Sequence, residues 1–484
     1  MGRNKVHSHM RTKVRLPRGM ARFRLEALAL LVPGLGATSV DLAISARNSE
    51  AQVIRQSGGQ TEAQAPHLFS PAGDSLRRGN GELGRALGLH EDSPLTLGGE
   101  WFGNGSTQMS GGWASAYGRQ SFGQAGIIDL RMNLDKAKVM KGAEIWIQGL
   151  QYNVLNNGNN AAGSVQQINN VISTPPFTRT ELYTYGWRQT FWDGQIQVSL
   201  GKLFAGYYFG AVARPIPDQN PEITGGPNTN LLFLPPYSQP TFVGREPGYP
   251  DSTLGGVITV QPKLLDKRTY FTIGVFDGRT GLGPVGSVAT GLQAGGDLMG
   301  PLLTMAEAGS VWSIGQRRLP GQLAIGLWNQ SGRLTTPCAA QGVKDDCPIE
   351  DRAAGGYAYA IQTLSAFKRQ GNPGKVVAFL QGGTTPSSTN MVKSSLTAGV
   401  EVIGPFDGRH KDSYGLGISW ANLNDSTEAA WGFNKNELML QLTGRLHVWR
   451  DIYAQPVISW LPKVGFEQAK ENSTTFTLQL STSF

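Results

Sequence analysis

The stretch ELMLQLTGRLHV, Glu437 to Val448, decides how this chain is read. Leu438, Leu440, Leu442, Leu446 and Val448 fall on one parity, and Glu437, Met439, Gln441, Thr443, Arg445 and His447 on the other. Successive side chains of a strand point to opposite faces, so this segment has one apolar and one polar face. The pattern recurs. GIIDLRMNLD (126–135) sets Ile128, Leu130, Met132 and Leu134 against Ile127, Asp129, Arg131 and Asn133. AEIWIQGL (143–150) sets Ile145 and Ile147 against Glu144, Trp146 and Gln148. GQIQVSL (194–200), GQLAIGLW (321–328) and LTAGVEVIG (396–404) repeat it, and so does the terminal TTFTLQLSTSF (474–484).

A solvated β-sandwich also alternates. Three features favour a transmembrane barrel. The alternation holds for segments as long as the roughly 9–11 residues that a tilted membrane strand needs, whereas soluble strands average about 5–6. Aromatic residues gather at segment ends, at Trp101-Phe102, Tyr152, Phe191-Trp192, Trp420, Trp460 and Phe484, as interfacial girdles require. The polar parity carries charges beside Gln, Thr and Ser, which fits a wet lumen.

Candidate strands fall near 97–103, 111–119, 124–134, 143–152, 180–191, 194–203, 254–262, 268–276, 304–315, 321–330, 355–367, 374–382, 395–403, 413–422, 436–449, 451–461 and 474–484. That is 17, and single-chain bacterial barrels have even counts. The expectation is an all-β, transmembrane antiparallel barrel of about 16 strands over 95–484, with one segment miscast. WDG (192–194) and WRD (449–451) read as tight periplasmic turns; 153–179, 204–253 and 331–354 read as long external or lumen-folded loops.

The rest of the composition limits the alternatives. The chain has 484 residues, 64 of them Gly, with 39% hydrophobic and 16% charged residues. No run of 18 apolar residues signals a membrane helix. The formal charge of +8 is concentrated at the start: residues 1–50 hold nine Lys/Arg against three acids. The remainder is nearly neutral and offers no basic stripe for phosphates, so no nucleic-acid partner is expected. Residues 1–50 read as a signal peptide, with a basic region to Arg24, an apolar stretch LALLVPGLGATSV (28–40) and cleavage near 45–51. Residues 51–94 read as an N-terminal periplasmic segment with a short helix within 74–90. Cys338 and Cys347 bracket a loop-like stretch and form a candidate disulfide in an oxidising compartment.

Catalytic and cofactor motifs are weak. GLGPVG (281–286) matches the dinucleotide glycine pattern, but Pro284 argues for a loop rather than the required helix start. The six histidines (His7, His9, His67, His90, His410, His447) show no metal spacing, so neither a metal nor a cofactor is expected. A barrel enzyme would need a Ser or Asp beside a His such as His447. The pore-lining candidates, by inward parity, are Glu437, Gln441, Arg445, His447 and Trp449 on one pair of strands, and Asp129, Arg131, Glu144 and Trp146 on another. Charged and amide groups hydrogen-bond hydroxyls, and aromatic rings cover the apolar faces of sugar rings.

Several segments resemble the carbohydrate-selective porins of the OprB family, from about residue 80 to the C-terminus. These are GPFDGRHKDSYGLGISWANLN (404–424), ELMLQLTGRLHVWRDIYAQPVISWLPK (437–463) and ELYTYGWRQTFWDGQIQVSLGKLFAGYYFG (181–210), with GYPDSTLGGVITVQP (248–262), FTIGVFDG (271–278) and AIGLWNQSG (324–332). A Gly/Leu/Met-rich insert at 279–303 departs from the family pattern. The resemblance implies an outer-membrane barrel that passively admits sugars into the periplasm, with Arg and Glu at its constriction and no cofactor. The terminal Phe484 resembles the signal by which such barrels are recognised for assembly. The expected partners are small neutral sugars and outer-membrane lipid; monomer and trimer stay open. The rival readings are a general or anion-leaning porin, a barrel enzyme and a soluble periplasmic sugar binder.

Overall fold

The computed structural model describes residues 82–484, apart from 91, 114–117, 157, 169–177, 211–251, 266–267, 279–297, 299, 336–348, 425–432 and 468. The disulfide candidate and the GLGPVG stretch fall outside the described residues, as does the signal peptide. A short helix, α1 (Glu82–Ala86), precedes the barrel. The strands are β1 (Leu95–Gly112), β2 (Gln120–Asn133), β3 (Ala143–Leu155), β4 (Thr178–Phe191), β5 (Ile196–Leu203), β6 (Thr253–Val260), β7 (Thr269–Asp277) and β8 (Leu302–Ile314). They continue as β9 (Leu319–Thr335), β10 (Ile349–Arg369), β11 (Asn372–Thr384), β12 (Val392–Ile403), β13 (Ser413–Leu423), β14 (Asn436–Trp449), β15 (Ile452–Lys463) and β16 (Lys470–Ser483). Each pairs antiparallel with its sequence neighbours, and β1 pairs with β16, so the sheet closes into a 16-stranded barrel.

Closure is local and specific. Glu100 stands opposite Ser483, and Gly99 and Phe484 exchange both backbone hydrogen bonds at 2.9 and 3.0 Å. A Cβ on Gly99 would lie 2.6 Å from the Phe484 ring, so only glycine leaves room for that aromatic at the seam.

Connections alternate in length. At one end lie 134–142, 192–195, 261–268, 315–318, 370–371, 404–412 and 450–451, all short. The longest ones, 156–177, 204–252 and 278–301, join strands at the other end. The WDG and WRD turns sit at the short end; Trp192, Asp193 and Arg450 adopt positive φ there, as tight hairpin turns demand. α1 lies at the short end too, with Glu82 3.9 Å from Arg450.

The expected parity holds. Leu442, Ile128, Ile145, Ile147 and Leu200 are exposed on the outer face, while Gln441, Asp129, Glu144, Gln148 and Ser199 are buried on the inner one. The outer face meets lipid. A polar pair there is internally satisfied: Trp101 Nε1 donates to Gln124 Oε1 at 3.2 Å.

Three expectations are corrected. In the expected strand 111–119, Gly111 and Gly112 do not open a strand of their own; they end β1, where both enter the left-handed region and the pairing with β16 becomes irregular. Phe102 and Tyr152 do not belong to a girdle, because both are buried on the inner face, whereas Trp192, Trp420 and Trp460 are exposed. Stretch 331–354 is not all loop, since β9 extends to Thr335 and β10 begins at Ile349. The last residues of the 279–303 insert, Leu302 and Leu303, open β8.

Two substitutions test this architecture. Leu440→Arg on the outer face of β14 should destabilise the barrel by about 2–4 kcal/mol if the side chain sits near the midplane. It is read as loss of the heat-modifiable folded band on electrophoresis. Gly201→Ala would place a Cβ 2.1 Å from the Tyr185 carbonyl at φ +147°, while Gly105→Ala meets nothing within 4 Å. Gly201→Ala should therefore cost more than about 1 kcal/mol in denaturant unfolding, and Gly105→Ala far less.

Candidate functional site: the lumen wall

Period two brings four of the sequence candidates together. Arg131 pairs in register with Trp146, Asp129 with Gln148, and Glu144 with Arg188. Directly opposed side chains on one face lie about 4.5–5.5 Å apart at Cβ, close enough to interact. Arg131 Nε donates to Asp129 Oδ2 at 2.5 Å, and its Nη1 to Glu144 Oε1 at 3.2 Å. Arg188 Nη1 lies 3.5 Å from the same Glu144 oxygen. Gln148 Nε2 donates to Asp129 Oδ1 at 2.8 Å, Thr184 to Gln148 at 2.6 Å, and Trp146 Nε1 to Thr184 at 3.2 Å. The Arg188 guanidinium stands 5.4 Å from the Trp146 ring centre. Two cations and two carboxylates thus alternate across β2, β3 and β4, with no net charge. Burying such groups is tolerable only when every charge is paired and hydrogen-bonded.

What buries them is the start of the connection after β5. Phe204 leads into a 3-10 turn, Ala205–Tyr207, and Leu203, Phe204, Tyr207 and Tyr208 close over Arg131, Trp146, Thr184 and Arg188 to leave a small cleft. Phe204 packs against Tyr207 with ring centres 4.5 Å apart and planes tilted by 58°, and Phe209 meets Phe276 edge-on at 6.1 Å. Aromatic rings and charged groups therefore line one cleft.

At Gly210, the last described residue of this stretch, the same segment meets a residue that the sequence reading missed. Glu307 of β8 accepts the Gly210 N–H at 2.8 Å. It also accepts the hydroxyls of Tyr270 (2.7 Å), Tyr357 (2.8 Å) and Tyr359 (3.2 Å). These rings come from β7 and β10 and lie over glycines: a Cβ on Gly309 or Gly326 would meet Tyr270 or Tyr357 at 2.3 and 2.1 Å. The signal for Glu307 was present, as an acid on the inward parity of LLTMAEAGSVWSI.

A second inward segment, after β3, reaches the wall formed by β13–β15. A short helix, α2 (Gly158–Ala162), follows β3, and the chain then runs to β13–β15. Glu437, fully buried at 0% exposure, accepts from Ser164 Oγ (2.9 Å), Val165 N (2.6 Å), Gln166 N (3.2 Å) and Gln166 Nε2 (3.2 Å). Gln441 Nε2 donates to Ser459 Oγ at 2.7 Å and to Ile168 O at 3.2 Å. Ser419 donates to Gln166 Oε1, and the N–H groups of Gly465 and Phe466 to Gly163 O. Glu437 and Gln441 face inward as expected, yet they hold a folded-in segment of the chain itself.

The other candidates lie apart. The Arg445 guanidinium stands 3.7 Å from the Tyr453 ring centre. The His447 N–H donates to Asp412 Oδ1 at 2.9 Å; its ring hydrogen-bonds Arg450 O at 2.6 Å. Trp449 is 59% exposed at the turn into β15, where the Arg450 guanidinium lies 4.6 Å from its ring centre. His447 and Trp449 thus belong to the short-turn end. Among the described residues, no group of three or more His, Cys, Asp or Glu side chains is arranged to hold a metal ion.

The fold has counterparts among solved structures. The high-pH structure of Pseudomonas putida OprB is 17% identical, with a TM-score of 0.68 over 83% of this chain and 96% of that one. The low-pH structure of the same protein is 13% identical, with a TM-score of 0.48 over 88% and 100%. No curated protein sequence matches at a significant level. The model of the carbohydrate-selective porins, OprB family, matches residues 122–484, and this chain belongs to that family.

Proposed function

We propose that the barrel passes small neutral sugars by passive diffusion along the lumen wall of β2–β4, with the short turns toward the periplasm. The observation that carries this reading is the buried, charge-balanced cluster of Asp129, Arg131, Glu144 and Arg188 beside Trp146, Tyr207 and Tyr208. A sugar presents hydroxyls around its edge and C–H groups on its faces. Guanidinium and carboxylate groups satisfy the hydroxyls, and rings pack on the faces. Because the cluster carries no net charge, it exerts little pull on ions of either sign. Conduction needs binding weak enough to release. In this reading the sugar displaces the covering rings of Phe204, Tyr207 and Tyr208 and competes with the partners of each charge, so each contact stays modest.

Glu307 and Glu437 act differently. Each anchors an inward segment to the wall, narrowing the lumen without touching the solute. Specificity then depends on two wall carboxylates that fix aperture and on one cluster that reads hydroxyls.

Planar-bilayer recordings with glucose and a disaccharide test the reading. Saturable block of the ion current is expected; currents indifferent to both sugars would leave a general diffusion pore. Arg131→Ala leaves Asp129 and Glu144 each short of a partner. It should raise the half-blocking sugar concentration several-fold and shift the reversal potential toward cation selectivity. Glu437→Gln weakens the hold on 164–166 and should increase sugar-free conductance and current noise, with the barrel still migrating as folded on unheated gels.

A further inference from the structure

Three consecutive turns at the short end share an unusual composition. The turn between β6 and β7 carries Lys263 and Arg268, that between β8 and β9 carries Arg317 and Arg318, and β10 enters its turn through Lys368 and Arg369. All six are exposed. The sequence of these three turns contains a single acid, Asp266, which is followed by Lys267; both lie outside the described residues. Among the described residues, Arg268, Arg318, Lys368 and Arg369 make no ion pair, and Lys263 meets only the exposed Asp193, at 3.6 Å. Exposed pairs of that kind contribute little. Arg317 Nη1 donates to the Ala366 carbonyl at 2.8 Å, which ties the second turn to the end of β10. The bases therefore form one sector of the rim.

The depth of that sector is set by what surrounds it. Ile314, the last residue of β8, is 47% exposed on the lipid-facing side, and Phe271 and Leu364 are exposed on the same side of β7 and β10. Arg317 and Arg318 follow Ile314 by only a few residues. The first turn also presents Leu264, which is 97% exposed and packs against none of the described residues to any extent that would bury it. An apolar side chain projecting beside cationic ones is the pattern of a membrane interface, where the leucine reaches the acyl boundary and the bases stay at headgroup level.

We propose that this sector, formed by Lys263, Arg268, Arg317, Arg318, Lys368 and Arg369, binds anionic phospholipid headgroups in the leaflet at the short-turn end. The chemistry is that of a phosphodiester: a guanidinium offers it a planar fork of two donors, and clustered bases draw anionic lipids to a surface. The sector lies on the outside of the wall, so this binding is independent of sugar passage.

Trp312, on the outer face of β8 in the same sector, reports on it together with other exposed tryptophans such as Trp192, Trp420 and Trp460, so the change made by substituting the bases isolates the sector. Wild-type barrel is reconstituted in phosphatidylcholine containing brominated phosphatidylglycerol or, separately, brominated phosphatidylcholine, and tryptophan quenching gives the relative affinity of the two lipids. A several-fold preference for the anionic lipid is expected, falling to about one in 0.5 M salt and in the triple variant Arg268→Gln, Arg318→Gln, Arg369→Gln. Sugar block and sugar-free conductance should be unchanged in that variant. Equal quenching by both lipids in the wild type would overturn the proposal, as would an anionic preference that the triple variant retains. Should the triple variant fail to insert, Arg318→Gln alone is expected to lower the preference, and an unchanged preference there would also overturn it. A variant that keeps its lipid preference but changes the particle mass would instead identify a contact between copies of the chain.

Discussion

Every backbone N–H and C=O that enters hydrocarbon must find its partner within the protein. A sheet can meet that demand only by having no edge. The exchange of hydrogen bonds between Gly99 and Phe484, continued by the register from Glu100 and Ser483 upward, removes the two edges that a 16-stranded sheet would otherwise expose. From this follow the even strand count and the alternation of faces. Apolar residues such as Ile128, Leu327 and Leu442 face outward, and the inner face carries Gln, Ser, Thr and charged side chains beside buried rings such as Phe102, Tyr152, Tyr183 and Phe276.

That inversion makes carboxylates the organising groups of the interior. Asp129 and Glu144 partition two guanidinium groups between adjacent strands. Glu307 gathers three tyrosine hydroxyls from two strands and one backbone amide from an inward segment, and Glu437 gathers four donors from another. In each case the acceptor belongs to the rigid wall; Glu437 takes these four donors from a folded-in segment and Glu307 one of its four, while Asp129 and Glu144 are held by groups of the wall itself. The wall therefore dictates where the folded-in chain lies. Tyrosine suits the role, because its ring packs over a glycine of the neighbouring strand while its hydroxyl reaches the carboxylate.

Much of this was legible in the sequence because a period of two admits few readings. Parity alone placed Asp129, Arg131, Glu144 and Trp146 on one side, and cross-strand pairing made them a cluster. Where the sequence reading went wrong, a different variable was in play. Residues 111–119 looked like a strand of their own because Gly111 and Gly112 interrupt the pattern, yet they end β1 rather than separating two strands. Phe102 and Tyr152 sat at segment ends, but position along a strand does not fix the face, and both point inward. His447 and Trp449 had the right parity and the wrong depth, since alternation says nothing about distance along the barrel axis. The work done by Glu437 was invisible for another reason: its partners, Ser164 to Gln166, lie far away in sequence on an aperiodic segment.

The seam between β1 and β16 has a kinetic side as well. Fifteen of the sixteen strand pairings join sequence neighbours, several through turns as short as 370–371 or 450–451, and can form as soon as both strands exist. The remaining pairing, Glu100 with Ser483, has almost the whole barrel between its members. Its closure entropy can be recovered only after the intervening strands are ordered. Until that pairing forms the sheet keeps two open edges, and the rate at which the last strand finds Gly99 sets how long they stay available to the wrong partner.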